Sequence, residues 1–163
     1  MLFRSVSHAI NTGPALFGAR VNSRGWDLTD SGGLAAIEAA RGAFVATLFE
    51  AGPRLAGAKV GGLRTEVLNP ATGALVGHVV AASAVDVDTA LRLAEPWVAT
   101  PDIRAKVLLR AAELYEAEFG QVFALLAREA GKTLADAVGE LREAVDFLRY
   151  YAAGAEGDRK SVV

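Results

Sequence analysis

Apolar residues recur at helical spacing in several stretches of this chain and alternate in one short region between them. Val6 to Asp30 is rich in Gly, Asn, Ser and Asp, with few periodic apolar positions, and reads as an irregular lead-in. Ser31 can cap a helix running through Leu34, Ile37, Phe44, Val45 and Leu48 until Gly52-Pro53 stops it. The glycine-rich stretch from Arg54 to Leu63 reads as a loop. Glu66-Val67-Leu68 and Leu75 to Val80 then flank Asn69-Pro70-Ala71-Thr72-Gly73. Asn and Pro open a turn there and Gly73 can close it with a positive φ, so the pattern predicts a β-hairpin.

Three helices are expected after the hairpin. Ser83 with Asp86 has the spacing of a capping box, and Val87, Leu91 and Ala94 make an apolar face that ends near Pro96-Trp97. Thr100-Pro101-Asp102 is a start signal: a cap, a proline at the first helical position and an acid in the first turn. The stripe Ile103, Val107, Ala111, Leu114, Val122, Leu125, Leu126 predicts one long helix ending at Gly131. Thr133, with Asp136 three residues on, caps a last helix whose face is Leu134, Val138, Leu141, Val145, Leu148 and Ala152. Arg142 and Asp146 form an i,i+4 pair outside that face. The fold class is therefore mainly α with one β-hairpin. An isolated hairpin is marginal in water, so the pattern asks for more chain than these 163 residues.

Composition narrows the function classes. Hydrophobic residues make up 52% and charged residues 22%, a globular balance. The net charge is −2 with both signs interspersed, which gives no support for nucleic-acid binding. The absence of cysteine excludes disulfides, thiolate metal sites and a cysteine nucleophile within these residues. His8 and His78 stand far apart, which argues against a histidine metal site; no metal ligand set is assigned. No apolar run reaches the roughly 18 residues of a membrane span, and the N-terminus lacks a signal-peptide layout.

The short motifs are mostly better explained by structure than by chemistry. Gly131-Lys132-Thr133 looks like the end of a phosphate loop, but the glycine that motif needs is Leu126 here, so a C-cap glycine followed by an N-cap threonine is preferred. Asp86-Val87-Asp88 has the look of a phosphatase acid pair, yet the capping box already accounts for Asp86. Gly57, Gly61 and Gly62 are wrongly spaced for dinucleotide binding, so no cofactor-binding residue is assigned. His78 reads as a half-exposed sheet residue. Glu129, Glu140 and Glu143 read as solvated helix positions. Glu143 differs in sharing an i,i+4 line with Phe147 and Tyr151. In that second, semi-apolar stripe a carboxylate can be buried and can hold an ammonium group.

Several segments, taken in order, resemble the opening of the aldehyde dehydrogenase superfamily. They are Asn69-Pro70-Ala71-Thr72-Gly73 with Val76-Gly77, Ala84 to Ala90, Arg104 to Leu109 with Ala111-Ala112-Glu113-Leu114, and Glu129 to Leu134 with Ala137 and Glu140. Glu143 to Ala152 resembles the corresponding helix of L-glutamate γ-semialdehyde dehydrogenases. Leu16 to Leu28 resembles the segment that joins the two halves of the bifunctional proline utilization A family. The resemblance implies a parent of α/β fold with a Rossmann-like NAD-binding domain, of which 66–157 is the incomplete start and 6–65 a lead-in with one helix. It implies a cytoplasmic, bacterial, NAD-dependent oxidoreductase of proline catabolism that oxidises the semialdehyde to glutamate. FAD enters only with an upstream proline dehydrogenase half. The implied partners are the rest of its own chain, the small semialdehyde substrate and further copies in a homo-oligomer. The chemistry implied is thiolate attack on the aldehyde, hydride transfer to NAD+ and thioester hydrolysis. The family's catalytic cysteine, general-base glutamate and oxyanion-binding asparagine are expected beyond this C-terminus. No catalytic residue is therefore assigned here, and the fragment is expected to bind no cofactor and to be inactive. Glu143 alone matches a family position, a carboxylate near the amine end of the substrate.

The two ends, Leu2-Phe3-Arg4-Ser5 and Asp158 to Val163, resemble a translated sequencing adapter, so 1–5 and 158–163 are read as adapter-derived. Two other readings stay open: another aldehyde dehydrogenase, such as a succinate-semialdehyde type, and a non-catalytic helical interaction module built on the repeat from Leu134 to Ala152.

Overall fold

The computed structural model describes residue 18, residues 20–55 and residues 61–157; the ends read as adapter-derived lie outside them. The elements are α1 (Ser31–Gly42), β1 (Phe49–Ala51), β2 (Arg64–Leu68), β3 (Leu75–Val80), α2 (Ala84–Leu93), α3 (Pro101–Ala117), α4 (Phe119–Ala130) and α5 (Leu134–Gly157). The architecture is mainly helical, as the periodicity implies. The strands, however, form a three-stranded sheet of order β1-β3-β2, in which β1 runs parallel and β2 antiparallel to β3.

The third strand corrects the expected first helix. That helix starts one residue early, because the Asp30 carboxylate accepts hydrogen bonds from the amides of Gly32 and Gly33. It stops at Gly42 and does not reach Leu48. The reason is tertiary. Arg128 on α4 donates to the carbonyls of Phe44 (3.0 Å), Thr47 (2.6 Å) and Leu75 (3.4 Å) and lies 5.7 Å from the centre of the Phe49 ring. A guanidinium with five donors satisfies carbonyls that a continued helix would have used internally. The chain then turns and Phe49 to Ala51 pair with Gly77 to Val79.

The hairpin follows the expected chemistry. The Asn69 side chain accepts from the amides of Ala71 and Thr72, and Gly73 takes φ +70°. Gly77 is needed for a different reason: a Cβ there would lie 2.0 Å from the Phe49 carbonyl oxygen. The missing side chain is what lets β1 close on β3.

The expected long helix is two. It breaks at Glu118 (φ −93°, ψ 19°), so that α3 packs on α5 while α4 turns to pack on α1 and α5. Gly120, just past the break, approaches Ala40 so closely that a Cβ would sit 2.8 Å from its backbone. The break also re-aims the predicted stripe. Ile103, Val107 and Leu114 face outward along a shallow apolar groove, and α3 turns Ala105, Leu108, Ala112 and Glu116 inward. The apolar face expected on α2 is likewise open, with Val87 and Leu91 exposed and Asp86 buried.

The face expected on α5 is the buried one: Val138, Leu141, Val145 and Ala152 are covered, as is Ala137. These residues, with Ile37, Ala112 and Phe123, make the core, and Trp26, Phe119 and Phe123 close it with ring centres 5.3 to 5.7 Å apart. The seam considered for a coiled coil is thus used inside the chain. Gly131 ends α4 in the left-handed region (φ +65°), and Thr133 and Asp136 form the expected reciprocal cap of α5.

Gly77→Ala should destabilise the chain by about 3 kcal/mol, because the added methyl meets backbone rather than a side chain that can move away. Urea unfolding measures this, and a change near zero would show that the β1 pairing is not constrained there. Acid should also weaken the fold. Hydrogen bonds from the Ser83 hydroxyl and amide hold the Asp86 carboxylate below its ordinary 3.8, and those from Thr133 do the same for Asp136. A carboxylate with a depressed folded-state pKa contributes fully above its unfolded value and loses that contribution as pH falls through the folded one. Helical circular dichroism during urea unfolding should therefore show stability falling as pH drops below 3.8, with Asp136→Asn removing part of that dependence.

Candidate functional site

The lead-in read as irregular in sequence forms a strap across α5 and α3. Ser23 is buried, and its amide and hydroxyl both donate to the Asp146 carboxylate at 2.8 Å. Arg142 Nε also reaches Ser23 Oγ, at 3.3 Å. The i,i+4 pair expected between Arg142 and Asp146 therefore converges on Ser23 rather than closing on itself. A turn further along α5, Arg149 donates to the Asn22 carbonyl (2.5 Å) and pairs with Glu116 of α3 (2.7 Å), whose other oxygen accepts from the Arg24 amide at 2.6 Å. One helix thus supplies a carboxylate for the strap's donors and a guanidinium for its carbonyl.

The strap delivers Arg20 to the outer face of α5. Its guanidinium lies 5.7 Å from the centre of the Tyr150 ring and donates to the Asp146 carbonyl at 3.3 Å. Arg20, Glu143, Asp146, Phe147 and Tyr150 line a shallow depression of about 290 Å³. The predicted second stripe is present: the rings of Phe147 and Tyr151 stack at 6.3 Å with an interplanar angle of 22°, and Tyr150 meets Tyr151 edge-on at 5.3 Å. Both stripe aromatics are more than half exposed, and Glu143 is exposed, as its reading as a solvated helix position has it; the burial that the stripe would allow is not found. The depression offers carboxylate and guanidinium groups beside aromatic faces, a set suited to a small molecule carrying both charges.

The other sequence candidates sit elsewhere and are locally occupied. Lys132 pairs with Glu140 at 2.7 Å, and that hydrogen bond raises its pKa above the ordinary lysine value. Thr133 is engaged with Asp136, so Gly131-Lys132-Thr133 is a junction between two helix caps. Asp86 closes the Ser83 capping box. His78 Nδ1 lies 2.9 Å from Glu50, which also accepts from Arg64 across the sheet. Glu129 is an exposed helix position. Among the described residues, no group of three or more His, Asp or Glu could hold a metal ion, and no helix is long and apolar enough to cross a membrane. Arg20, Ser23, Glu116 and Arg149 were not legible as site residues. The available signal was the polar density of Arg20 to Arg24, which hydrophobic periodicity discards.

Residues 59–163 match the aldehyde dehydrogenase family, and the chain belongs to that family. Among individual proteins, bifunctional protein PutA of Salmonella typhimurium is 41% identical over 145 residues, which cover 85% of this chain and 11% of that protein. The 1-pyrroline-5-carboxylate dehydrogenase of Bacillus mycoides is 36% identical over 91 residues, covering 52% of this chain and 18% of that protein. A solved 1-pyrroline-5-carboxylate dehydrogenase from Thermus, with bound NAD, superposes with a TM-score of 0.75 at 24% identity, over 88% of this chain and 30% of that one. The chain therefore spans a small part of the relatives it matches.

Asp146→Ala should free the strap while leaving the helical core folded. It strips two donors of a buried serine of their acceptor, at a cost of about 2 kcal/mol. Trypsin should then cut after Arg20 and Arg24 much faster than in the parent chain, and unchanged cleavage would show that Asp146 does not hold the strap.

Proposed function

We propose that this chain is the opening of an NAD-dependent aldehyde dehydrogenase that oxidises L-glutamate γ-semialdehyde to glutamate in proline catabolism. On this reading 66–157 begins the NAD-binding domain and the residues before it are lead-in. Family membership and the PutA and 1-pyrroline-5-carboxylate dehydrogenase relatives support it. 1-Pyrroline-5-carboxylate is the cyclic imine that the semialdehyde forms by losing water. The single observation that carries the reading to this chain's own residues is Glu143 on the aromatic face of α5, in the depression that also holds Arg20. The semialdehyde keeps its ammonium group at the end remote from the aldehyde, and a carboxylate that lines a depression with aromatic side chains is the group to receive it.

Within these residues, the reading assigns a role at the substrate end. Gly131 is a helix C-cap, and the Thr133 hydroxyl two residues on is bonded to Asp136, so this junction is accounted for by helix capping. No step of hydride transfer is assigned to them. When bound, NAD+ would accept the hydride in the complete enzyme, and this chain's contribution is to hold the substrate's far end. The open apolar faces of α2 and α3 fit the same reading, since the rest of the enzyme's own chain would cover Val87, Leu91, Ile103 and Val107.

The purified chain, given the semialdehyde and NAD+, should produce no NADH; turnover would show that it holds a complete catalytic set. The substrate assignment is tested by exchanging the matching segment of Salmonella typhimurium PutA for this chain. The hybrid should oxidise the semialdehyde, and Glu143→Gln in it should raise KM about tenfold, or ~1.4 kcal/mol, with little change in kcat or in the KM for propanal. An equal effect on both aldehydes would overturn the role of Glu143.

A further inference from the structure

We propose that the recess beside Arg128, formed by α4, the hairpin and the segment leading from α1 to β1, is a binding site for a small organic carboxylate. It shares no residue with the depression on α5 and is independent of the reading of Glu143. The recess has a volume of about 360 Å³, and its walls include Val45, Leu48, Leu75 and Val76. Its polar side chains are Arg128, Asn69 and Thr72, with no acid among them. The carrying observation is that Arg128 is half-buried and not neutralised. Among the described residues, no carboxylate forms an ion pair with it. A cation partly withdrawn from water and lacking a counter-ion draws an anion to it.

The donors that such a ligand needs are in place. Arg128 gives three hydrogen bonds, to the carbonyls of Phe44, Thr47 and Leu75, and these fix the plane of its guanidinium. A guanidinium carries five N–H groups, so some remain for a ligand. The Asn69 side-chain oxygen accepts from the amides of Ala71 and Thr72, which leaves its NH2 to donate. The Thr72 hydroxyl oxygen accepts from the Ala74 amide, and its hydrogen is likewise left to donate. Three side chains thus offer N–H or O–H groups around one positive charge, a set that favours an anion. The walls then choose between anions. Val45 and Leu48 leave apolar surface in contact with water, and Val76 is buried behind them. A short aliphatic tail covers such surface and inorganic phosphate does not, so the class is a monocarboxylate with a short alkyl chain.

The test is an NMR titration of the whole chain near neutral pH with butyrate, its uncharged amide butyramide, and inorganic phosphate. Butyrate should saturate and move the amides of Phe44 to Leu48 and the Nε–H of Arg128. Butyramide and phosphate should each bind about fivefold more weakly. Arg128 itself is a poor residue to change, because it also ends α1. Val45 is exposed and can be replaced without removing the carbonyls that Arg128 holds. Val45→Glu should supply a counter-ion from within the chain and weaken butyrate about tenfold. Val45→Gln, of the same size and without the charge, should bind it within about twofold of the parent. Butyramide as tight as butyrate would show that the recess does not read charge and would overturn the proposal. So would equal weakening by both substitutions, or an unaltered affinity in Val45→Glu. Phosphate as tight as butyrate would overturn the aliphatic carboxylate as the ligand. Shifts confined to other parts of the chain, or no saturable butyrate binding, would overturn the site itself.

Discussion

The close approach of α3 and α5 is the constraint on which the rest of the structure depends. Small residues are buried on both helices, Ala105 and Ala112 on α3 and Ala137 and Ala152 on α5, and Leu141 and Val145 of α5 join Ala112 in the core. Small side chains let two helices approach closely and turn their remaining faces in fixed directions. Once the aliphatic face of α5 is committed to the core, Arg142, Asp146 and Arg149 project where the lead-in crosses. Glu143, Phe147, Tyr150 and Tyr151 project to the outside. The arrangement of charged and aromatic groups on the outer face is therefore a consequence of packing on the inner one.

The strap adds what a helix alone cannot supply. All ligands to it from α5 lie within two turns, and Glu116 of α3 ties the same segment to the neighbouring helix through Arg149 and the Arg24 amide. Because Arg149 and Glu116 are largely shielded from water, their attraction is screened less than that of the exposed pairs Arg92–Asp88 or Arg110–Glu113. The strap's Trp26 then enters the aromatic cluster with Phe119 and Phe123. Polar anchoring at one end and apolar burial at the other turn a segment without secondary structure into a defined part of the fold.

Elsewhere the chain keeps apolar surface in the open. Ile103, Val107 and Leu114 on α3, Val85 and Leu91 on α2, and Trp97 after it are all exposed. The alternating pattern along these helices is regular, so the exposure is not a failure of amphipathicity. It marks faces whose partners are absent among the described residues. The PutA relatives carry most of their length outside the matched segment, which agrees with such faces being interior in the whole enzyme.

Local chemistry was legible from the residues alone. The capping boxes of Ser83 and Thr133, the left-handed Gly131, the Asn69 turn, the hairpin and the buried stripe of α5 all follow from interactions within a few residues, whose partners are fixed by chain connectivity. The family followed from the order of such segments. Only the tertiary structure decided three things: the end of α1 at Gly42, the bend at Glu118 and the placing of Arg20 beside Glu143. Arg128 ends α1 from more than eighty residues away, Gly120 makes the bend useful by fitting against Ala40, and Ser23 finds Asp146 across most of the chain. Each depends on which groups compete for a backbone carbonyl or a carboxylate once the helices have packed, and that competition has no signature in local periodicity.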